Sequence, residues 1–439
     1  MNLPDGPLSR RALFGNAALL GLGSAFAPHA AFAKPAAPTG QFPNVTAFVD
    51  GYVAKRKVPG MLAALGFGQG KATVIARGTE GFNDRDVETM DTLFRVYSMT
   101  KPVTGMAAMM LIDAGKMSLD QPLSDILPKF AKMMVQVTPD GSITDLRSAK
   151  TAITIRHLLT HSAGLGYSII QKGPIKDAYV AAGVIPGQIS KVPIPGLERG
   201  QAVGSLTLFA DRLAALPLVY EPGTQWSYSV GLDLMGRVIE VVSGKPFDVF
   251  LQERLFGPLG MTSSGFQVAA KDIHRLSTNY AVVAGTPIPI DPAEASIFAE
   301  KPPFPMGGAG LVTSPRDYDR FLRMIANYGK LDGKRIMTER AIRSGTSNLL
   351  PAGASTKGTF ANGAGFGAGG RVGLGDAAGT YGWGGAAGTV ALVDLKYGLR
   401  AGLYTQYMPS EAYPVHADFP MAVVADLKAM APARRNQAV

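Results

Sequence analysis

The chain has 439 residues, of which 46% are hydrophobic and 17% charged; that balance supplies a large core and excludes intrinsic disorder, and the length suits two domains or one domain with an inserted lobe. The formal charge of +10 comes from dispersed Lys and Arg without a basic stripe, so nucleic acid is not an expected partner. The lack of any cysteine excludes disulfides, thiol nucleophiles and cysteine-ligated zinc.

The chain opens with "LSRRALFGNAALLGLGSAFAPHAAFAKPAAP": paired Arg10 and Arg11, a short apolar run, then the small-x-small site Ala31-Phe32-Ala33. This is the layout of a cleaved export signal, too short to span a bilayer, and the string from Ser9 to Phe14 resembles a twin-arginine signal. Residues 1–33 are therefore expected to be removed, leaving a mature chain from about Lys34 in the periplasm or outside the cell. No later segment is apolar and long enough for stable membrane insertion.

After a Pro/Ala-rich linker, "NVTAFVDGYVAKRKVPG" has the apolar spacing of a helix ended by Pro59-Gly60. "MLAALGFGQGKATVIARGTEGF" alternates around glycines as a β-hairpin does. A helix from Ser98 follows, and Pro102 is acceptable in its first turn, where no internal N–H partner is lost. From about Asp120 to Pro303 the pattern is mostly helical, broken by a Pro/Gly-rich excursion at Gly183–Gly204. The segment 168–204 reads equally as a pocket wall or a surface loop. The clearest helix is "VGLDLMGRVIEVVSG", with Leu232, Met235, Ile239 and Val242 on one face and Gly244 as its stop. The last third is glycine-rich; "AGTVALVDLKYGLRAGLYTQY" reads as two strands around an Asp394–Gly398 turn, and "FPMAVVADLKAMA" as a closing helix. With strands at both ends and helices between, the expected architecture is one α/β domain built from both termini with a helical lobe inserted.

Several signatures can be set aside. "GFGAGG" at Gly365–Gly370 satisfies G-x-G-x-x-G but lies in a glycine-rich β region with no helix after it, so it reads as loop or strand chemistry. There is no G-x-x-x-x-G-K-[ST] string and no G-x-S-x-G elbow. His157 and His161 stand four apart, yet no acidic residue follows the H-E-x-x-H pattern, so packing and hydrogen bonding are their expected roles. Neither a metal nor a cofactor is expected.

"FRVYSMTKPVTG" places Ser98 and Lys101 three residues apart at a helix start. A lysine at i+3 shares the serine's face and takes its proton if its surroundings leave it a lone pair; the helix N-terminus favours a developing alkoxide. The competing reading is a capping serine beside a solvated lysine. Three further strings accompany this one: "TIRHLLTHSAGL"; "EPGTQWSYSVGLDLMG", with Tyr228 in a turn before an amphipathic helix; and "YGWGGAAGTVALVDL", with Trp383-Gly384-Gly385 heading a strand.

Together with "PMGGAGLVTSPRDYDRFLRMI", these strings resemble, in order and spacing, the serine β-lactamase-like hydrolases: class C β-lactamases, D-alanyl-D-alanine peptidases and, most closely, the family VIII carboxylesterases. The resemblance runs from about Val45 to Ala429. It implies a β-lactamase/transpeptidase-like fold of the α+β type, an antiparallel sheet flanked by N- and C-terminal helices with an inserted all-helical lobe. The sheet part would come from about 42–97 and 304–430, the lobe from about 98–303, within one hydrolase domain over 34–439. It also implies roles: Ser98 as the acylated nucleophile, Lys101 as its proton acceptor and Tyr228 as the shared acid/base. The backbone N–H groups of Ser98 and Ala386 would form an oxyanion hole, and Trp383, Gly384 and Gly385 would line the pocket edge.

Two departures bear on substrate. Where the β-lactamases and peptidases have Tyr-x-Asn, this chain has Tyr228-Ser229-Val230; where they have Lys-Thr-Gly, it has Trp383-Gly384-Gly385. An apolar ring in place of a cation removes an anchor for a substrate carboxylate and favours neutral acyl groups. The expectation is an exported serine esterase acting on small-molecule carboxylic esters. Acyl transfer to an alcohol is a near neighbour. A β-lactamase or D-alanyl-D-alanine peptidase would need a replacement cation, such as Arg371 or Lys357, and a catalytically dead binding protein would have lost one of Ser98, Lys101 and Tyr228. Nothing in the sequence sets an oligomeric state.

Overall fold

The computed structural model describes residues 40–192 and 200–435; the expected export signal at 1–33 lies outside the described residues. Helix α1 (Pro43–Ala54) starts on a proline, whose missing N–H costs nothing in a first turn. It leads into the hairpin β1 (Gly60–Phe67) and β2 (Thr73–Gly78), paired in register Leu62↔Ala76. The other end of the chain supplies β3 (Gly365–Phe366), β4 (Arg371–Val372), β5 (Thr380–Gly384), β6 (Val390–Asp394) and β7 (Leu399–Tyr404). They form one sheet in the order β3-β4-β5-β6-β7-β1-β2, with every neighbour antiparallel. The seam joining the two ends of the chain is β1 on β7, Leu62 opposite Tyr404.

Strand β1 is apolar on both faces, and the two-residue pleat sorts its side chains. Met61, Ala63 and Leu65 meet α1 and the closing helix α4 (Val415–Arg435) through Phe42, Val45, Val49, Phe419 and Val423. Leu62 and Ala64 point the other way, into a core shared with α2 (Thr100–Asp113). The sheet is therefore covered on both sides, with the terminal helices on one face and the central helices on the other. Among the described residues no helix is long and apolar enough to cross a membrane.

The amphipathic helix expected at Tyr228's downstream side is α3 (Gly231–Ser243), with Leu232, Met235 and Ile239 fully buried and Gly244 ending it at φ +69°. The expected helix from Ser98 opens instead as a single 3-10 turn, Tyr97–Met99, before α2 begins at Thr100. The stretch 98–303, expected to be all helical, has helices as its main regular elements, joined by long loops, but also carries two β-pairs: Met134–Gln136 with Leu146–Ser148, and Asn279–Val283 with Thr286–Asp291. In the second pair a two-residue turn, Ala284-Gly285, has positive φ at both positions (+49° and +82°), the geometry that matches strand twist. Alanine at the first position, where Asn or Asp is usual, hid that hairpin from a sequence reading. In the 168–204 segment, a helix at Gly173–Ala181 buries Ile175 and Tyr179 in the main core, and residues 193–199 lie outside the described residues.

Candidate active site

A short strand, Phe94–Arg95, pairs with Val312–Thr313 and carries the chain into the Ser98 turn. Arg95 is fully buried: its guanidinium donates to Asp291 Oδ2 at 2.6 Å, to the Asp291 carbonyl at 2.9 Å and to Ser296 Oγ at 3.1 Å. Gln406 Oε1 accepts from the Arg95 backbone N–H. Two residues later Tyr97 is held at φ +41°, a left-handed conformation that costs a bulky residue of order 1 kcal/mol or more. That kink presents Ser98, half-buried, at the N-terminal end of α2, where the helix dipole favours negative charge.

One helical turn on, Lys101 points back along the helix, as its Cα–Cβ direction requires. Its Nζ lies 3.3 Å from Ser98 Oγ and donates to the Gly308 carbonyl at 2.6 Å, and the side chain has no solvent exposure. Tyr228, in the loop before α3, donates its hydroxyl to Ser98 Oγ at 2.6 Å. Lys101 Nζ also sits 4.5 Å from the centroid of the Tyr228 ring. A serine oxygen, a lysine nitrogen and a phenol oxygen thus converge, contributed by residues three and 130 positions apart. Such a set can strip a proton from the serine and hold it close by.

The Tyr228 loop is braced by His161. Its Nδ1 accepts from the Ser229 backbone N–H at 3.2 Å and contacts Ser229 Oγ at 3.1 Å, and its ring lies 4.7 Å from that of Tyr228. Burial first, then Lys101, hold this imidazole well below its usual pKa, so it is neutral at pH 7. His157 does local work too: it completes a capping box with Thr154, accepting the Thr154 N–H on Nδ1, and burial lowers it to about 4. The pair thus serves packing and hydrogen bonding, as their spacing without an acidic partner suggested.

Trp383, at the end of β5, stands 6.0 Å from the Tyr228 ring and 5.2 Å from Phe366. Phe360 closes the group from a loop, 5.0 Å from Tyr228 and 5.9 Å from Trp383, with 59% of its surface exposed. Beyond Trp383 the strand runs against the Ser98 turn. A Cβ on Gly385 would lie 2.3 Å from the Val96 carbonyl, so only glycine permits this approach. Ala386 and Ala387 pack with Tyr97, the residue before Ser98. The Ala386 N–H has no backbone acceptor among the described residues. Gly384 lies over the His416 ring on the α4 side.

Arg371 pairs with Gly382 across β4 and β5, so the pleat sends it to the face opposite Trp383. Lys357 is exposed on the Phe360 loop. "GFGAGG" forms β3 and the tight return into β4, with the Gly367 N–H donating to the Gly370 carbonyl and Gly369 packed on the Lys101 backbone. Sequence reading missed Phe360, which carried no signal in a polar loop. It also missed Asp233, whose signal was a lone carboxylate among Leu232, Leu234 and Met235 on a buried helix.

A family model described as "Beta-lactamase" matches residues 45–425. Esterase EstB of Burkholderia gladioli is 30% identical over 360 residues, covering 76% of this chain and 82% of that protein. An uncharacterized protein of Mycobacterium tuberculosis is 34% identical over 266 residues, and the match spans 62% of its length and 60% of this chain. Among solved structures, EstCE1, a hydrolase with promiscuous acyltransferase activity, aligns with a TM-score of 0.70 at 26% identity, covering 87% of this chain and 97% of that one.

Proposed function

The chain belongs to the β-lactamase family, as an enzyme of the serine-hydrolase type, and we propose that it cleaves carboxylic esters through an acyl-enzyme on Ser98. The observation that carries this reading is the meeting of Tyr228 Oη and Lys101 Nζ on one oxygen, Ser98 Oγ. Ser98 Oγ attacks the ester carbonyl as its proton passes to Lys101. The tetrahedral oxyanion is received by the Ser98 and Ala386 N–H groups. Tyr228 protonates the departing alkoxide and regains a proton from Lys101. In the second half, a water gives its proton to the same pair while its oxygen attacks the acyl carbon, and the C–Oγ bond breaks as the pair returns that proton to Ser98 Oγ and the acid is released. Transfer to an alcohol differs only in the acceptor and uses the same intermediate.

Trp383, Phe360 and Tyr228 offer an apolar wall where a carboxylate-binding lysine would stand, and Arg371 leaves the sheet on the far face. Neutral acyl groups fit that wall better than a penicillin or a peptide C-terminus. Export through residues 1–33, and a mature hydrolase domain over 34–439 with its lobe at 98–303, belong to the same reading.

The test is to incubate the mature protein with a p-nitrophenyl alkylphosphonate and map the adduct by mass spectrometry. An adduct on the Ser98 peptide supports the reading, and an unlabelled protein overturns it. Alongside, p-nitrophenyl butyrate should be turned over with a kcat/KM that exceeds that for nitrocefin by roughly tenfold to a hundredfold, the worth of one missing charged hydrogen bond. The strand approach gives a further expectation. Gly385→Ala puts a methyl against the Val96 carbonyl and Thr389 Oγ1, pushing β5 off the Ser98 turn. A displacement near 1 Å costs on the order of 10²-fold in kcat/KM, while p-nitrophenol release per folded molecule is what should fall, not the folded fraction.

A further inference from the structure

Gly308 accepts Lys101 Nζ–H on its carbonyl, and the N–H of the same residue meets a buried acid. The Gly308 N–H donates to Asp233 Oδ1 at 2.8 Å. Asp233 lies on α3, five residues after Tyr228, with no solvent exposure, and its Oδ2 has no hydrogen-bond partner among the described residues. The strap 307–311 is tied to α2 at three points: the Gly307 carbonyl accepts Thr104 Oγ1–H at 2.7 Å, the Gly308 carbonyl accepts Lys101 at 2.6 Å, and the Leu311 N–H donates to Thr100 Oγ1 at 3.0 Å. A Cβ on Gly308 would fall 2.3 Å from Asp233 Oδ2, so the glycine exists at the one place where the carboxylate lies flat on the strap.

From this geometry we propose that Asp233 is a positioning residue for Lys101: by holding the strap at Gly308 it aims the lysine at Ser98, and it supplies the negative charge that balances the ammonium formed during acylation. The proposal rests on the reading of Ser98 and Lys101 given above. A carboxylate on the Gly308 N–H polarises the Gly307–Gly308 peptide, whose Gly307 carbonyl accepts the Thr104 hydroxyl, and so pins the strap that presents the next carbonyl, that of Gly308, to the lysine. The titratable group facing Asp233 is Lys101 from α2. The strap brings backbone alone, and His161, packed on Tyr228, is neutral. Burial pushes the Asp233 carboxyl up to about 6 against the opposing pull of Lys101 and the Gly308 N–H. Asp233 is thus an anion at pH 7 and loses its charge on mild acidification.

Two readouts separate positioning from mere packing. In the wild type, the Gly308 amide resonance should move with pH around a midpoint near 6, and in Asp233→Asn it should be flat. An amide that does not titrate in the wild type, or titrates unchanged in the variant, overturns the proposal whether or not the protein hydrolyses esters. For p-nitrophenyl butyrate, kcat/KM of the wild type should fall as pH drops through about 6. In Asp233→Asn it should be lower by roughly tenfold at pH 7.5 with KM little changed, and lack that limb. A variant with the wild-type profile overturns the proposal. If Asp233→Asn does not melt cooperatively, Asp233→Ser, smaller and uncharged, serves in its place. An absence of any Ser98-dependent hydrolysis in the wild type would sink the esterase reading instead, and leave the amide titration to decide this one.

Discussion

Ser98→Ala is expected to remove ester hydrolysis, lowering kcat by about 10³-fold or more, with the fold unchanged. The size of the effect follows from the geometry. Tyr228 and Lys101 direct their polar atoms at a single oxygen, and without that oxygen neither has a substrate atom to act on. The stability cost is small because Ser98 is half-buried and Lys101 keeps its bond to the Gly308 carbonyl. Losing one hydrogen-bonded hydroxyl costs about 1 kcal/mol. Hydrolysis of p-nitrophenyl butyrate, measured beside a thermal melt by circular dichroism, checks both halves. Retention of most of the activity in a variant that melts normally would mean that the bond is broken elsewhere.

The second large effect lies in stability. Arg95 and Asp291 are both buried, and their ion pair joins the strand that carries Ser98 to the 279–291 hairpin. Arg95→Met leaves Asp291 with Ser296 Oγ and the Ile297 N–H but without a counter-charge. Breaking such a pair costs about 3–5 kcal/mol, because a buried charge is left uncompensated. Urea unfolding of the variant should therefore show a much lower midpoint, and specific activity should fall in step with the folded fraction. Adding Asp291→Leu should recover most of the loss, since an apolar pair of similar volume is often neutral in place of a buried ion pair. If Arg95→Met unfolds at the wild-type midpoint, the pair contributes nothing net and the Ser98 turn is held by other contacts. The Tyr97 kink and the strap over α2 are the structures that would then bear the load.

Much of the architecture was legible because its signals are local. The α3 stripe of Leu232, Met235 and Ile239 with Gly244 after it, the β1–β2 hairpin and the β6–β7 hairpin, with Asp394 opposite Leu399, each rest on periodicity or turn chemistry within a few residues. Ser98 and Lys101 were legible for the same reason, since i,i+3 spacing on a helix is itself a distance. The resemblance that placed Tyr228 and Trp383 beside them drew on remote strings in a fixed order, and the family model matches that same span. What local patterns carry no information about is which remote backbones touch. The pairing of β1 with β7 and the tyrosine hydroxyl 130 residues from its serine were decided only when the core closed. So were the face on which Arg371 leaves the sheet, the Phe360 edge over Tyr228, and the Asp233–Gly308–Lys101 chain of bonds. The 279–291 hairpin was missed because Ala284 adopts a left-handed turn that composition does not advertise. The physical reason is common to all of these. Helices and hairpins are selected by short-range sterics and hydrogen bonds, whereas register, facing and buried polar partners are selected by how surfaces from opposite ends of the chain fit together.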